Sequence, residues 1–106
     1  MKTQIHHSAL NVKDFNWYVS FFEDVFEMSI RQTRGAVPNR KLWFHQGIQL
    51  NECPNNTTAG TLYDHIGIST DNPEEVLSRA LKKGCVQIPD KPRWFRLPDG
   101  IVIELM

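Results

Sequence analysis

Only two cysteines, Cys53 and Cys85, occur in 106 residues. That is too few for a disulfide framework, and neither has a companion at metal-finger spacing. Both are expected as reduced thiols. No apolar run approaches the roughly 18 to 20 residues of a membrane-spanning helix, and the opening stretch Met1–His7 carries no apolar signal segment. The expected setting is the cytoplasm, without membrane contact. Excess charge is missing as well: 12 Lys plus Arg balance 12 Asp plus Glu, so no global field gathers nucleic acid or anionic lipid. There is no like-charge block or low-complexity tract to suggest a disordered interaction tail. What is left is one small globular domain, 41% hydrophobic and 10% aromatic, with a core sufficient for folding but not a generous one. Domains of this size often complete their core or their site against a second chain, and a homodimer is expected.

The chain also repeats itself. Ile5-His6-His7-Ser8-Ala9-Leu10-Asn11-Val12-Lys13-Asp14 aligns with Tyr63-Asp64-His65-Ile66-Gly67-Ile68-Ser69-Thr70-Asp71-Asn72. Each reads as a strand that runs into a helix cap. Farther on, Trp43-Phe44 followed by Gly47-Ile48-Gln49-Leu50-Asn51 aligns with Trp94-Phe95 followed by Gly100-Ile101-Val102-Ile103-Glu104. Between these ends Asp14 caps a segment whose apolar residues Phe15, Val19, Phe22 and Phe26 recur at helical spacing. In the second half Asn72, Pro73, Glu74 and Glu75 start a helix whose apolar face is Val76, Leu77, Ala80 and Leu81, and Gly84 ends it. Three short strands follow each helix: about Met28 to Thr33, Lys41 to His45 and Ile48 to Cys53, then Val86 to Ile88, Trp94 to Arg96 and Ile101 to Met106. The unit is βαβββ, twice. The modules are expected at about 1–54 and 61–106, joined by a linker at 55–60 whose Asn, Thr and Gly content suits a connection.

Alternation along the strands sets which residues share a face. His7, Ala9 and Asn11 point one way, with Ser8, Leu10 and Val12 toward the helix. In the second module His65, Gly67 and Ser69 lie opposite Ile66, Ile68 and Thr70. On the last strands Gln49, Asn51 and Cys53, and then Val102, Glu104 and Met106, take the histidine face. A lone histidine at a strand start is ordinarily just hydrogen-bonded, but here both repeats place one at the same register. Two imidazoles and a carboxylate form a facial set that holds a divalent metal and keeps positions open for substrate. His7, His65 and Glu104 supply that set, and the small residues around them leave room for a ligand.

These residues resemble the vicinal oxygen chelate superfamily, which includes glyoxalase I, bleomycin- and fosfomycin-resistance proteins, extradiol dioxygenases and methylmalonyl-CoA epimerase. The carriers are His7–Asp14, Phe21–Phe26, Asp64–Ser69 and Leu97–Leu105, and together they span nearly the whole chain. The resemblance implies an α+β fold of two tandem βαβββ modules, with a curved, partly open mixed sheet around a cavity and one helix per module outside. It places metal ligands at His7, Asn51, His65 and Glu104. Asn51 departs from the pattern, because glyoxalase I has a carboxylate ligand there and an amide cannot accept the proton. Glu52 is the neighbouring carboxylate, but alternation points it away unless a bulge re-aims it. Glu27 is a second departure, since the family usually has glycine after the first helix.

Asn11, Gln49, Cys53 and Ser69 are the expected substrate-pocket residues, with Glu104 as catalytic base. Of Trp43, Phe44, Trp94 and Phe95, alternation makes one of each pair core. His6, His45, Trp17, Arg93 and Arg96 read as surface or packing residues. Two functions follow. One is a small enzyme of glyoxalase or dioxygenase type that binds iron, zinc, nickel or manganese and an oxygen-rich substrate. The alternative is a metal-free binding protein of the bleomycin-resistance kind.

Overall fold

The structure, a computed structural model, describes residues 1–55, 63–98 and 100–106. Residues 56–60 of the expected linker and Asp99 of the last motif lie outside the described residues. Among the described residues there are eight strands and two helices, in the order β1 Thr3–Val12, α1 Phe15–Phe26, β2 Ile30–Arg34, β3 Lys41–Phe44, β4 Ile48–Glu52, β5 Tyr63–Thr70, α2 Pro73–Lys82, β6 Val86–Gln87, β7 Trp94–Arg96 and β8 Val102–Leu105. This is α+β, with βαβββ twice. By compactness the chain divides into His7–Asp64 and a second unit of Met1–His6 with His65–Met106. None of the described helices is long and apolar enough to cross a membrane.

In the first unit the strand order is β2-β3-β4-β1. β1 runs parallel to β4, with Ala9 opposite Gln49 and Asn11 opposite Asn51, while β3 is antiparallel to both β2 and β4. Asp14 starts α1 by accepting a hydrogen bond from the Trp17 N–H at 3.2 Å, which satisfies one of the unpaired donors of the first turn. The helix buries Phe15 and packs Tyr18, Val19 and Phe22 on Val12, Leu42, Phe44 and Leu50. The helix-facing residues are thus the ones that alternation selects. At its end Glu27 adopts a left-handed conformation, φ 54°, and its N–H returns to the Phe22 carbonyl. That backbone geometry is the one glycine adopts without strain.

In the second unit the order is β5-β8-β7-β6. β5 is parallel to β8, with Gly67 opposite Glu104, and β7 is antiparallel to β8, with Trp94 opposite Glu104. Asn72 caps α2 by accepting from the Glu75 N–H at 3.3 Å, with Pro73 at the first helical turn and Glu74 and Glu75 near the positive helix end. Val76, Leu77 and Ala80 pack with Ile66 and Ile68 against Phe95, Ile103 and Leu105. Each helix therefore covers the aliphatic face of its own strands and leaves the histidine face to other work.

Candidate metal and substrate site

Within the second unit, His65 Nε2 lies 3.2 Å from Glu104 Oε1. The imidazole is buried and the carboxylate is half-buried. The sheet explains how they meet: Trp94, Glu104 and Gly67 form one row across three strands. Gly67 contributes no side chain, which opens the space into which neighbouring groups on that face lean. His65, two residues earlier on the same face of β5, fills it from one side, and the Trp94 ring contacts the imidazole at 4.5 Å between centroids. Ser69 continues that face and borders a groove of about 560 Å³ with Met1–Gln4, Thr70 and Asp71.

The first unit carries the corresponding residues, but in amide form. His7 and Ala9 are buried on β1, as are Gln49 and Asn51 on β4. Trp43 Nε1–H donates to Gln49 Oε1 at 2.8 Å. Gln49 Nε2–H donates to Asn51 Oδ1 at 2.9 Å, and Asn51 Nδ2–H donates to Asn11 Oδ1 at 3.1 Å. Asn11 Nδ2–H reaches Asp64 Oδ1 at 3.4 Å. An indole can only donate and a carboxylate can only accept. With a donor fixed at one end and an acceptor at the other, the three amides between them have a single consistent orientation.

The strand ladders also revise one correspondence between the modules. The glycine-based alignment sets Asn51 against Glu104. In the sheet, however, Trp43 and Ala9 flank Gln49, as Trp94 and Gly67 flank Glu104. The structural counterpart of Glu104 is therefore Gln49, two residues before Asn51. The reason is turn length: the connection from Phe44 to β4 is shorter than the one from Phe95 to β8, so equal distance from a glycine does not mean equal register. A two-residue shift preserves the face, so both amides remain on the histidine side.

Other sequence candidates separate cleanly. Phe44 and Phe95 are core residues, while Trp43 and Trp94 are half-buried on the opposite face. Glu52 faces away from the histidine side and is held by Arg40 through Nε at 2.8 Å and Nη2 at 2.7 Å; no bulge interrupts its pairing with Val12. The Arg40 hydrogen bonds hold the Glu52 carboxyl below its ordinary range and push the guanidinium up. Cys53 and Cys85 are both free. Burial, and after it the charge of Asp64, pushes the Cys53 thiol up, so it stays protonated. His45 and Trp17 are exposed. Asp64 and the orienting roles of the two tryptophans are not apparent from residue spacing, because they depend on cross-strand register.

No family model and no curated protein matches the sequence. Solved structures do match. A hypothetical protein from Bacillus halodurans C-125 superposes with a TM-score of 0.75 at 15% identity, covering 99% of this chain and 94% of that one. Streptomyces coelicolor methylmalonyl-CoA epimerase, in complex with 2-nitronate-propionyl-CoA, gives a TM-score of 0.73 at 18% identity over 99% and 96% of the two chains. The Mycobacterium tuberculosis epimerase gives 0.67 at 14% identity over 95% and 85%. The fold is the vicinal oxygen chelate fold. At these identities the likeness is one of architecture, and within that architecture the vicinal oxygen chelate βαβββ module appears here twice, with one helix covering each set of strands.

Proposed function

We propose that this chain is a small divalent-metal enzyme of glyoxalase or dioxygenase type, acting on an oxygen-rich small molecule through His7, His65 and Glu104. The observation that carries the reading is the His65–Glu104 pair, a buried imidazole 3.2 Å from a carboxylate on the face away from the helix. His7, buried at the same strand position in the other repeat, is the second imidazole of the proposed set. Two neutral imidazoles and one carboxylate suit iron, zinc, nickel or manganese. Such an ion, when bound, supplies Lewis-acid stabilisation of negative charge on substrate oxygens. Within the chain, contact with Trp94 restrains the His65 ring, and Glu104 is the proposed base. Asn51 is not in the proposed ligand set, because Gln49 rather than Asn51 stands in register with Glu104. Asn11, Gln49, Cys53 and Ser69 are the proposed substrate contacts, Cys53 acting as a neutral thiol. Since structures of similar fold hold methylmalonyl-CoA or 2-nitronate-propionyl-CoA, a coenzyme A thioester is one substrate to test.

A second reading is a metal-free binding protein with the same fold. The amide pair of the first unit favours it, because Gln49 and Asn51 bond to each other and add no second carboxylate. Elemental analysis of protein purified without chelator decides between them. The enzyme reading expects a stoichiometric divalent ion that is lost in His65→Ala and His7→Ala. No metal in the unsubstituted chain, and none taken up on titration, leaves the binding-protein reading. The proposal includes a homodimer, supported by the apolar outer residues Trp17, Val25 and Phe26 of α1. It also includes a cytoplasmic setting, supported by the two free thiols.

A further inference from the structure

Each unit sets a cation on the aromatic wall beside its polar face. In the second unit Lys91 Nζ lies 4.7 Å from the centroid of Trp94, the indole that contacts His65. Its backbone is fixed by a tight turn. The Ile88 N–H donates to the Trp94 carbonyl at 3.0 Å, the Lys91 N–H to Ile88 at 3.2 Å, and the Trp94 N–H to Lys91 at 3.1 Å, with Asp90 at φ 64° completing the reversal. Among the described residues no carboxylate pairs with the ammonium. Glu74, the acidic partner in this region, bonds Arg93 instead.

The first unit repeats the arrangement with different parts. Arg34 lies 5.7 Å from the centroid of Trp43, the ladder counterpart of Trp94. Its guanidinium meets the Gln32 amide oxygen at 2.9 and 3.2 Å, with that amide oriented to accept. It too has no carboxylate partner among the described residues. Cation–π contacts of note occur about once per 70 to 80 residues; a third one here, Arg40 on Phe15 at 4.6 Å, is ion-paired with Glu52. Here the two cations come from different parts of the fold, Arg34 from the end of β2 and Lys91 from the β6–β7 connection, yet they land on equivalent tryptophans. In a chain of balanced charge, that recurrence is hard to ascribe to surplus positive side chains.

We propose that Lys91 anchors an anionic group of the substrate, a carboxylate or a phosphate, against Trp94 beside the His65–Glu104 pair, with Arg34 as the equivalent anchor of the other unit. An ammonium seated on an aromatic face keeps N–H donors directed outward, and a compact positive charge of this kind binds carboxylate or phosphate oxygens. The substrate class is therefore an anion rather than a neutral diol or a cation. The inference rests on the proposed function in taking His65 and Glu104 as the reacting centre.

The test is calorimetric titration of the full chain with succinate, with inorganic phosphate, and with neutral succinamide. Succinate or phosphate is expected to bind, and whichever binds tighter names the anion; succinamide is expected not to bind. Lys91→Gln should weaken that anion by about tenfold or more, the size of one lost charge-assisted hydrogen bond, and Lys91→Arg should restore most of it. Equal affinity of Lys91→Gln and the unsubstituted chain, equal binding of succinamide, or no anion binding at all overturns the anchor. Metal content measured on the same samples keeps the two readings apart. Anion binding that needs Lys91 in a chain devoid of metal sinks the metalloenzyme and leaves the anchor, whereas bound metal with no effect of Lys91→Gln does the reverse.

Discussion

Glu27 holds a left-handed backbone conformation, φ 54°, to end α1. For a side chain with a Cβ this geometry costs roughly 1–2 kcal/mol, whereas glycine meets it freely but loses more entropy on folding. Glu27→Gly is therefore expected to stabilise the chain by up to about 1 kcal/mol, read as a rise in the urea midpoint at unchanged slope. Glu52 makes a different statement at the same scale. Its carboxyl is held down by the Arg40 hydrogen bonds, so the folded state binds its proton less readily than the unfolded state does. That contribution is complete above the ordinary glutamate range and disappears as pH falls through the lowered folded value. Urea midpoints of the unsubstituted chain should fall across this acid window, and Glu52→Gln should remove part of the fall; identical pH profiles would contradict the assignment. Cys53, with its thiol pushed up by burial, is expected to alkylate more slowly at neutral pH than an unhindered thiol, as measured by mass spectrometry of iodoacetamide-treated protein.

Between elements, the amide chain from Trp43 through Gln49 and Asn51 to Asn11 ties β3, β4 and β1 together by side chains as well as backbone. Asn51→Leu removes the acceptor of the buried Gln49 amide, and an orphaned buried polar group costs about 1–3 kcal/mol. The expected loss is in that range, with a compensating change only if Gln49 is replaced by an apolar residue at the same time. The strands and helices of both modules are legible in the sequence, because His7, Ala9 and Asn11 alternate with Ser8, Leu10 and Val12, and because Asp14 and Asn72 are recognisable caps. The amide chain is not legible in the same way. Its members can be assigned to one face by alternation, but which of them touch depends on the register of β1 against β4, and a residue pattern does not carry that information.

For the molecule as a whole, the two helices differ on their outer sides. α2 exposes Glu75 and Arg79, ion-paired at 3.0 Å, with Leu81 as its one exposed large apolar residue rather than part of its packed face, whereas α1 exposes three, Trp17, Val25 and Phe26. If α1 is the contact of the proposed homodimer, sedimentation velocity should show concentration-dependent association that Trp17→Glu abolishes without changing helix content. A monomer at every concentration would remove the dimer from the proposal. The sequence by itself determined the repeat, the capped helices, the facing of His65 and Glu104, and the paired aromatic residues of which Phe44 and Phe95 became core. All of these follow from short-range periodicity and cap chemistry, which act within a few residues. Tertiary structure alone decided that Gln49 rather than Asn51 stands in register with Glu104, that Trp94 lies against His65, and that Lys91 and Arg34 sit on equivalent indoles. Those relations depend on turn length and strand register, which are settled only when distant segments pair.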